Sequence, residues 1–280
     1  MSNNCELINT YQVLEHVMGI SGLHPHRLDA VRSMRAKLVH HMKQHDFSSK
    51  SIVLDIGCGS GTGTSELAEM LGHKYQIIGI DIDDNAIKQA KTKFAGHPSM
   101  RFFKGDLKDL LRDNPELKIS AAISISVSMF IHTVDEFYKN VHQALEEDGL
   151  FIDAPFMFSN HAEKISEKLH NRTYAVCGCN MKMFQSQPLQ QALINAGFGI
   201  ISSVEHDFDL MKFRILCRDY SALYLLKNFC KNIYFPPPEF GNVSSQYLLK
   251  RTLKIFIFFL WNRKKYSGGE FSAIKTQKSI

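Results

Sequence analysis

Short apolar runs alternate with longer amphipathic segments between Ser51 and Phe158. Continuous or alternating apolar residues predict strands, and apolar residues at every third or fourth position predict helices. The runs that predict strands are SIVLDI, YQIIGIDI, MRFFKGD, AAISISVS and GLFIDAPF, and the segments that predict helices are TSELAEMLG, DDNAIKQAKTKFAG and VDEFYKNVHQALEEDG. Strands and helices in strict alternation predict a parallel sheet with helices on both faces.

The pattern changes after Phe158. PLQQALINAGF predicts a further helix, while GIISSVEHDF and GEFSAIKTQK predict the sixth and seventh strands. Between these two strands, residues 209–266 contain two helical segments that are separated by the breaker FPPPEFG. We predict an α/β fold with a seven-stranded, mostly parallel sheet in residues 51–208 and 267–280. Residues 209–266 are predicted as a helical insertion, either a lid or an interface, and residues 1–50 as an N-terminal helical cap.

The composition is that of an ordered globular chain. Of 280 residues, 44% are hydrophobic, and 33 Lys and Arg against 28 Asp and Glu give a net charge of +5. This mild charge suits an anionic ligand or surface without demanding nucleic acid. The start MSNNCELINTYQ lacks the features of a signal peptide, and the run IFIFFLW is too short to span a bilayer. The spacing of Cys177 and Cys179 is not that of a zinc site, so we expect a reduced, cytoplasmic chain without a metal.

The stretch VLDIGCGSGTGT, residues 53–64, connects the first predicted strand to the first helix. A dinucleotide-binding loop requires Gly-x-Gly-x-x-Gly. In the three registers that start at Gly57, Gly59 or Gly61, a Thr or Glu stands where the last glycine is required. The Gly-Lys-Ser/Thr of a phosphate-binding loop is also missing. The loop therefore disfavours a nucleotide phosphate as its ligand.

Acidic residues close the first three predicted strands: Asp55 leads the alternating glycines, Asp81 ends IIGIDI and Asp106 follows in FFKGDL. Together with LEEDGLFI before the fifth strand, these motifs resemble the class I S-adenosylmethionine-dependent methyltransferases of the small-molecule type. The resemblance covers about residues 51–156. It implies a Rossmann-like fold, S-adenosyl-L-methionine as cofactor and S-adenosyl-L-homocysteine as product. The alternative is that the three acids are solvated loop residues in an unrelated α/β protein.

The resemblance also implies roles for individual residues. Asp81 would hold the ribose hydroxyls, Asp106 would contact the adenine amino group, and the backbone of Gly57–Gly61 would receive the methionyl part. The cofactor-binding residues expected in this way are Tyr11, Asp55, Gly57, Cys58, Gly59, Gly61, Asp81, Ile82, Gly105, Asp106, Leu107 and Ser126.

The methyl acceptor has to be inferred from the region after the fourth strand. That region reads SISVSMFIHT and lacks the Asn/Asp-Pro-Pro-aromatic and Pro-Cys motifs of nucleic-acid methyltransferases. We therefore expect a small-molecule acceptor, methylated at O, N or C, and no nucleic acid. Candidate catalytic residues are His132, which otherwise caps the next helix, and His24 in GLHPHR. Asp153 and His161, after the fifth strand, are further candidates or plain loop residues.

Three alternatives stay open at this point. The chain could bind the cofactor without transferring a methyl group, or it could modify protein or RNA. Residues 247–266 mix basic side chains with a dense apolar run. This suits a lid helix packed on the core or on a second subunit, a helix in a membrane interface, or a helix that binds an apolar substrate. We expect a monomer or a homodimer.

Overall fold

The structure, a computed structural model, describes residues 29–45, 47, 51–131, 133–160, 169, 183–207, 244–262 and 265–276. These residues fall into two compact units. One unit contains residues 29–157, 184–206 and 268–276, and the other contains 158–160, 169, 183, 207, 244–262 and 265–267. The first unit holds most of the sheet and the glycine loop, and the second holds a long helix.

The sheet is mixed but mostly parallel. Its strands are β1 Ile52–Ile56, β2 Gln76–Asp81, β3 Met100–Lys104, β4 Ile119–Ile125, β5 Leu145–Ala154, β6 Phe156–Phe158, β7 Phe198–Asp207 and β8 Tyr266–Lys275. They lie in the order β3-β2-β1-β4-β5-β8-β6, and β7 pairs with β8. Strands β1 to β5 pair in parallel with their neighbours, whereas β8 runs antiparallel to β5. The α/β architecture predicted from the sequence is confirmed.

A proline interrupts the strand that pairs with β8. The Gly269 N–H donates to the Pro155 carbonyl at 2.8 Å, and the Ser159 N–H donates to the Lys265 carbonyl at 2.9 Å. Both hydrogen bonds keep the antiparallel register in which β5 meets β8. Because proline has no N–H, Pro155 cannot return a bond to β8 and the strand breaks there into β5 and β6. With β5 and β6 counted as one interrupted strand, the sheet has the seven strands that the sequence predicts.

The described helices are α1 Asp29–Gln44, α2 Thr62–Met70, α3 Asp84–Lys93, α4 Leu107–Asp113, α5 Val134–Ala144, α6 Ser186–Asn195 and α7 Ser245–Asn262, with a 3₁₀ turn at Ser128–Phe130. Helix α4 was not among the predicted elements. The sequence predicts that α5 continues through Glu147 to Gly149. This is wrong, because the helix ends at Ala144 and Leu145 already pairs with Ile119 of β4. No described helix has the length and hydropathy needed to cross a membrane.

Each face of the sheet carries its own hydrophobic core. Val53 and Ile77 face a cluster with α1, α2 and α3, while the next residues, Leu54 and Ile78, face a cluster with α4, α5 and α6. This alternation follows from the two-residue repeat of a strand. Side chains in one strand that are one position apart therefore belong to different cores.

Helix α1 belongs to this layered core. Its residues Met34, Leu38, Val39 and Met42 are buried in the same cluster as Val53. The part of the predicted N-terminal cap that the structure describes thus packs on the sheet. Residues 1–28 and 209–243, which make up most of the predicted cap and insertion, lie outside the described residues, and the predicted domain boundaries stay a prediction.

Candidate functional site

The glycine loop lies across the carboxyl end of β2. The N–H groups of Gly57 and Cys58 donate to the Ile80 carbonyl at 2.8 and 3.0 Å. Gly57 has a φ of 72°, and a Cβ there would come within 2.2 Å of the Val127 side chain. Glycine is therefore required at position 57 for both its backbone conformation and its size. Gly59 and Gly61 also have positive φ, at 55° and 80°.

Asp81 is held in a fixed orientation at the end of β2. Its Oδ2 accepts a hydrogen bond from the Gly59 N–H at 2.9 Å, and its Oδ1 accepts one from the Asp83 N–H at 2.9 Å. The carboxylate is half-buried, and each of its oxygens has a second lone pair. The next side chain, Ile82, is 75% exposed. The end of β2 thus presents two oriented acceptors beside an open apolar side chain.

The next strand end is tied to this one. The Gly105 N–H donates to the Asp81 carbonyl at 3.0 Å, which places Gly105 beside the end of β2. Asp106 is exposed, and its Oδ1 caps α4 by accepting from the Asp109 N–H at 2.9 Å. Leu107 is buried in the second core. Of these three predicted residues, Asp106 offers an accessible polar side chain, while Leu107 presents almost no side-chain surface.

Asp55 has a different environment. It is buried beneath the loop and accepts a hydrogen bond from the Thr64 hydroxyl at 2.7 Å. Burial raises the pKa of Asp55, and the Thr64 hydrogen bond and the nearby Arg35 charge oppose that rise. Arg35 comes from α1, is itself buried and forms an ion pair with Glu66 of α2. Asp55 therefore fixes the junction between the loop and α2.

Sequence reasoning missed Arg35. The available signal is its place on α1, one position after the apolar Met34 and three before Leu38, where a charged residue interrupts the buried face. A buried arginine at such a position needs a carboxylate partner. Here Asp55 and Glu66 provide that charge.

Cys58 faces the core. Its thiol is buried and donates to the Gly59 carbonyl at 3.6 Å, and burial raises the pKa of the thiol well above its usual range. The thiol therefore stays neutral. A Cβ on Gly79 of β2 would come within 2.9 Å of the Cys58 sulfur, so the two residues are packed against each other. The predicted cofactor contact of Cys58 would have to come from its backbone.

Ser126 closes the opposite side of the loop. It adopts a left-handed conformation with a φ of 59°, and its N–H donates to the Ala154 carbonyl at 2.8 Å. The following residue, Val127, is the one that packs against Gly57. The end of β4 therefore abuts the glycine loop directly.

The interpretation of Asp153 as a loop residue after the fifth strand is wrong. Asp153 lies inside β5, pairs in register with Ser124 and is fully buried. Its Oδ2 accepts a hydrogen bond from the Tyr138 hydroxyl at 2.6 Å. Burial raises the pKa of Asp153 to about 6, and the hydrogen bond from Tyr138 opposes that rise. The side chain is buried beside Tyr138 of the second core.

Four other candidates, Tyr11, His24, His132 and His161, lie outside the described residues. Within the described part of the chain, no group of three His, Cys, Asp or Glu side chains converges to hold a metal. A cavity of about 660 Å³ is lined by residues that include Ser51 and Lys118, at the amino ends of β1 and β4. Open α/β sheets bind their ligands at the carboxyl ends of the strands, so the glycine loop is the stronger candidate site.

Comparisons with known proteins match the part of the chain that contains the glycine loop. Residues 53–149 match the family model described as a methyltransferase domain. Malonyl-[acyl-carrier protein] O-methyltransferase of Halalkalibacterium halodurans is 24% identical over 139 residues, 47% of this chain and 51% of that protein. Other matched relatives are named as sterol, demethylmenaquinone, ribosomal protein and ribosomal RNA methyltransferases. The chain spans 51%, 29% and 49% of the first three curated relatives.

Solved structures share the fold at low identity. A methyltransferase from Thiobacillus denitrificans, solved with S-adenosyl-L-homocysteine, has a TM-score of 0.64 at 15% identity and covers 95% of this chain and 98% of its own. The [4+2]-cyclase SpnF has a TM-score of 0.65 at 13% identity and covers 95% and 92%. Residues 53–149 are thus similar to a methyltransferase domain, and the whole chain shares its fold with solved structures that include a methyltransferase.

Proposed function

We propose that this protein transfers a methyl group from S-adenosyl-L-methionine to O, N or C of a small molecule, with S-adenosyl-L-homocysteine as the second product. The observation that carries the proposal is the Asp81 carboxylate, which the Gly59 and Asp83 N–H groups orient at the carboxyl end of β2 beside the exposed Ile82. A diol is bound well by a carboxylate that accepts two hydrogen bonds. An adenine ring needs an apolar surface such as the side chain of Ile82.

The proposed cofactor lies along the carboxyl ends of β1 to β3. The second lone pairs of Asp81 would accept the two ribose hydroxyls, and Oδ2 of Asp106 would accept from the adenine amino group. The methionyl part would lie over Gly57–Gly61. Helix α2 begins without a side-chain cap, and its first internal bond runs from the Ser65 N–H to the Gly61 carbonyl. The preceding N–H groups at this helix end would favour the methionyl carboxylate.

Methyl transfer from a sulfonium is an in-line displacement. A lone pair of the acceptor forms a bond to the methyl carbon while the carbon–sulfur bond breaks, and sulfur keeps that electron pair as a neutral thioether. The leaving group needs no proton. The tasks left for the protein are alignment, exclusion of water and removal of a proton from the acceptor where it carries one. We propose His132 or His24 for that last task, as histidine titrates near neutral pH.

The case for a small-molecule acceptor comes from the sequence. No motif typical of nucleic-acid methyltransferases follows β4, where the chain instead makes the 3₁₀ turn Ser128–Phe130. A protein or RNA acceptor is the alternative to a small-molecule acceptor, since matched relatives include enzymes named for a ribosomal protein and for ribosomal RNA.

A second candidate function is favoured by one observation. SpnF shares this fold and is named as a [4+2]-cyclase, not as a methyltransferase. The fold can therefore carry a reaction other than methyl transfer. In this alternative the chain would bind the cofactor without using it as a methyl donor.

Calorimetric titration with S-adenosyl-L-homocysteine tests the cofactor site. We expect Asp81→Asn to weaken binding about 10- to 100-fold, because hydrogen bonds to a charged group contribute roughly 1.5–3 kcal/mol. Asp113→Asn is the matched control, because it removes an exposed carboxylate from the far end of α4. The ribose assignment is wrong if Asp81→Asn binds as tightly as Asp113→Asn, and the cofactor assignment is wrong if the parent chain does not bind.

Turnover with methyl-labelled S-adenosyl-L-methionine tests the reaction. Extracts of small molecules, RNA and protein are offered separately, and label is expected only in the small-molecule fraction. Label in RNA or protein alone would contradict the proposed acceptor class. Binding without label in any fraction would favour the second candidate.

A further inference from the structure

Helix α7 exposes a row of large apolar side chains. Leu253, Ile257 and Trp261 are 47%, 52% and 83% exposed. They are spaced four residues apart and so lie on one face of the helix. At a rise of 1.5 Å per residue the row is about 12 Å long.

Among the described side chains of α7, those opposite the exposed row are buried. Leu248, Arg251 and Thr252 have almost no exposed surface, and the Phe258 ring lies 6.4 Å from the ring of Tyr266. The rotation of the helix about its axis is therefore fixed. A rotation that turned the exposed row toward the core would bring the buried Arg251 into solvent.

The charge around the row is positive. Lys250 and Lys254 are exposed on the same face, at helical spacing from the row. Helix α7 contains no Asp or Glu, and the sequence continues with three basic residues, Arg263–Lys265, of which Lys265 is described and exposed. An apolar row ending in tryptophan and edged by lysines is typical of helices that lie in the interface of an anionic membrane.

We propose that this face of α7, defined by Lys250, Leu253, Lys254, Ile257 and Trp261, binds the surface of an anionic lipid bilayer. The apolar row would enter the boundary between headgroups and acyl chains, and the lysines would contact anionic headgroups. The helix would lie on the bilayer, since no described helix is fit to span one. Membrane binding by this face does not depend on methyl transfer, so either proposal can be wrong without the other.

The chain carries its own reporter for this proposal. Trp261 is the only tryptophan among the 280 residues. Intrinsic tryptophan emission therefore reports on this face alone. We expect a blue shift when vesicles of phosphatidylcholine with phosphatidylglycerol are added, quenching by brominated acyl chains, and co-sedimentation with the vesicles. Vesicles of pure phosphatidylcholine should give a much weaker response, because the lysines then have no anionic partner.

Variants separate the contribution of the lysines to vesicle binding from that of the apolar row. The double change Lys250→Glu and Lys254→Glu should weaken vesicle binding at least about tenfold, since each basic residue near an anionic surface contributes roughly 1 kcal/mol. The matched control is Lys91→Glu with Lys139→Glu, two exposed lysines on α3 and α5 that leave the same net charge. Leu253→Ser with Ile257→Ser should weaken binding to a similar extent without changing the net charge.

Several results would overturn the proposal. One is an unchanged emission spectrum at saturating anionic lipid. Another is equal loss of binding in the Lys250/Lys254 variant and in its charge-matched control, which would indicate attraction by net charge alone. A third is a blue shift that follows protein concentration without lipid and is accompanied by a doubled mass, because the face would then be covered by a second copy of the chain.

Discussion

The carboxyl ends of β1 and β2 differ sharply from those of β4 and β5. At the first pair, backbone N–H groups turn toward the site and hold an accessible carboxylate, Asp81. At the second pair, the polar groups turn inward, where Asp153 and Tyr138 are bonded to each other in the core. Both regions place an aspartate near the end of a parallel strand. The position within the strand and the face toward which it points decide whether that aspartate is open to a ligand.

The difference has an electrostatic consequence. Asp81 is half-buried and accepts hydrogen bonds from two backbone N–H groups, whereas burial makes the charged form of Asp153 costly and raises its pKa. In the proposed site, Asp81 therefore has lone pairs available for a neutral diol. Asp153 is a core residue whose ionisation affects stability.

The largest effect is expected at the contact where the two regions meet. Gly57→Ala should lower the free energy of unfolding by about 2–5 kcal/mol, because a left-handed φ costs a side chain roughly 1–2 kcal/mol and overpacking adds roughly 1–3. The added Cβ would lie 2.2 Å from Val127. Urea unfolding followed by circular dichroism measures the change.

Two companion variants sharpen this test. Gly72→Ala has a similar φ of 61° and meets nothing within 4 Å, so only the backbone cost of about 1–2 kcal/mol is expected there. Adding Val127→Ala to Gly57→Ala should restore the part that comes from overpacking. No recovery in the double variant would mean that the contact between the loop and Val127 is not the cause.

A pH series tests the buried aspartate. The pKa of Asp153 in the folded state is about 6, above the roughly 3.9 of an unfolded chain. Its protonated form therefore stabilises the fold below pH 4, and that contribution is lost as the pH rises through 6. Asp153→Asn cannot ionise and can still accept from Tyr138. Its stability relative to the parent should rise by up to about 3 kcal/mol between pH 4 and pH 7.5.

Thermal and urea unfolding of the parent and Asp153→Asn at matched pH values give this difference. Other titrating groups, including Asp55, are common to both proteins and cancel. A difference that stays constant across the pH range would contradict the raised pKa.

A matched pair of hydroxyl deletions compares the two regions directly. Thr64→Val removes the donor to Asp55, and Tyr138→Phe removes the donor to Asp153. Each leaves a buried carboxylate short of one hydrogen bond and should cost about 1–3 kcal/mol of stability at pH 7. Only Thr64→Val should also weaken S-adenosyl-L-homocysteine binding several-fold, because Thr64 fixes the junction of the glycine loop with α2. Equal effects on binding would erase the proposed distinction between the two regions.

The smallest effect on stability is expected at Ile82. Ile82→Ser should change the unfolding free energy by less than about 0.5 kcal/mol, since the side chain is exposed. It should nevertheless weaken S-adenosyl-L-homocysteine binding by about 1 kcal/mol, or roughly fivefold, through loss of apolar contact. Ile201→Ser, at an exposed position on β7, is the control and should leave binding unchanged.

The sequence was sufficient where local pattern and local chemistry coincide. The five strands β1 to β5 and the helices α2, α3 and α5 between them followed from periodicity, whereas α4 was missed. The glycine loop followed from residues that only a strained, closely packed turn requires. The sequence failed at Asp153 and at the end of α5. Both depend on the pairing of β4 with β5, which begins at Ile119 and Leu145 and is invisible in the local pattern.

The sequence by itself determined the α/β alternation, the glycine loop and the acidic residues that follow the strands, because each is encoded by neighbouring residues. Only the tertiary structure decided which acids remain accessible. Asp55 became a buried anchor because Thr64 of α2 donates to it and the Arg35 charge from α1 lies nearby, and Asp81 stayed open because backbone N–H groups hold it at the edge of the sheet. The contacts made by Arg35 and Gly59 are long-range, and burial and electrostatic environment are properties of such contacts rather than of sequence neighbours.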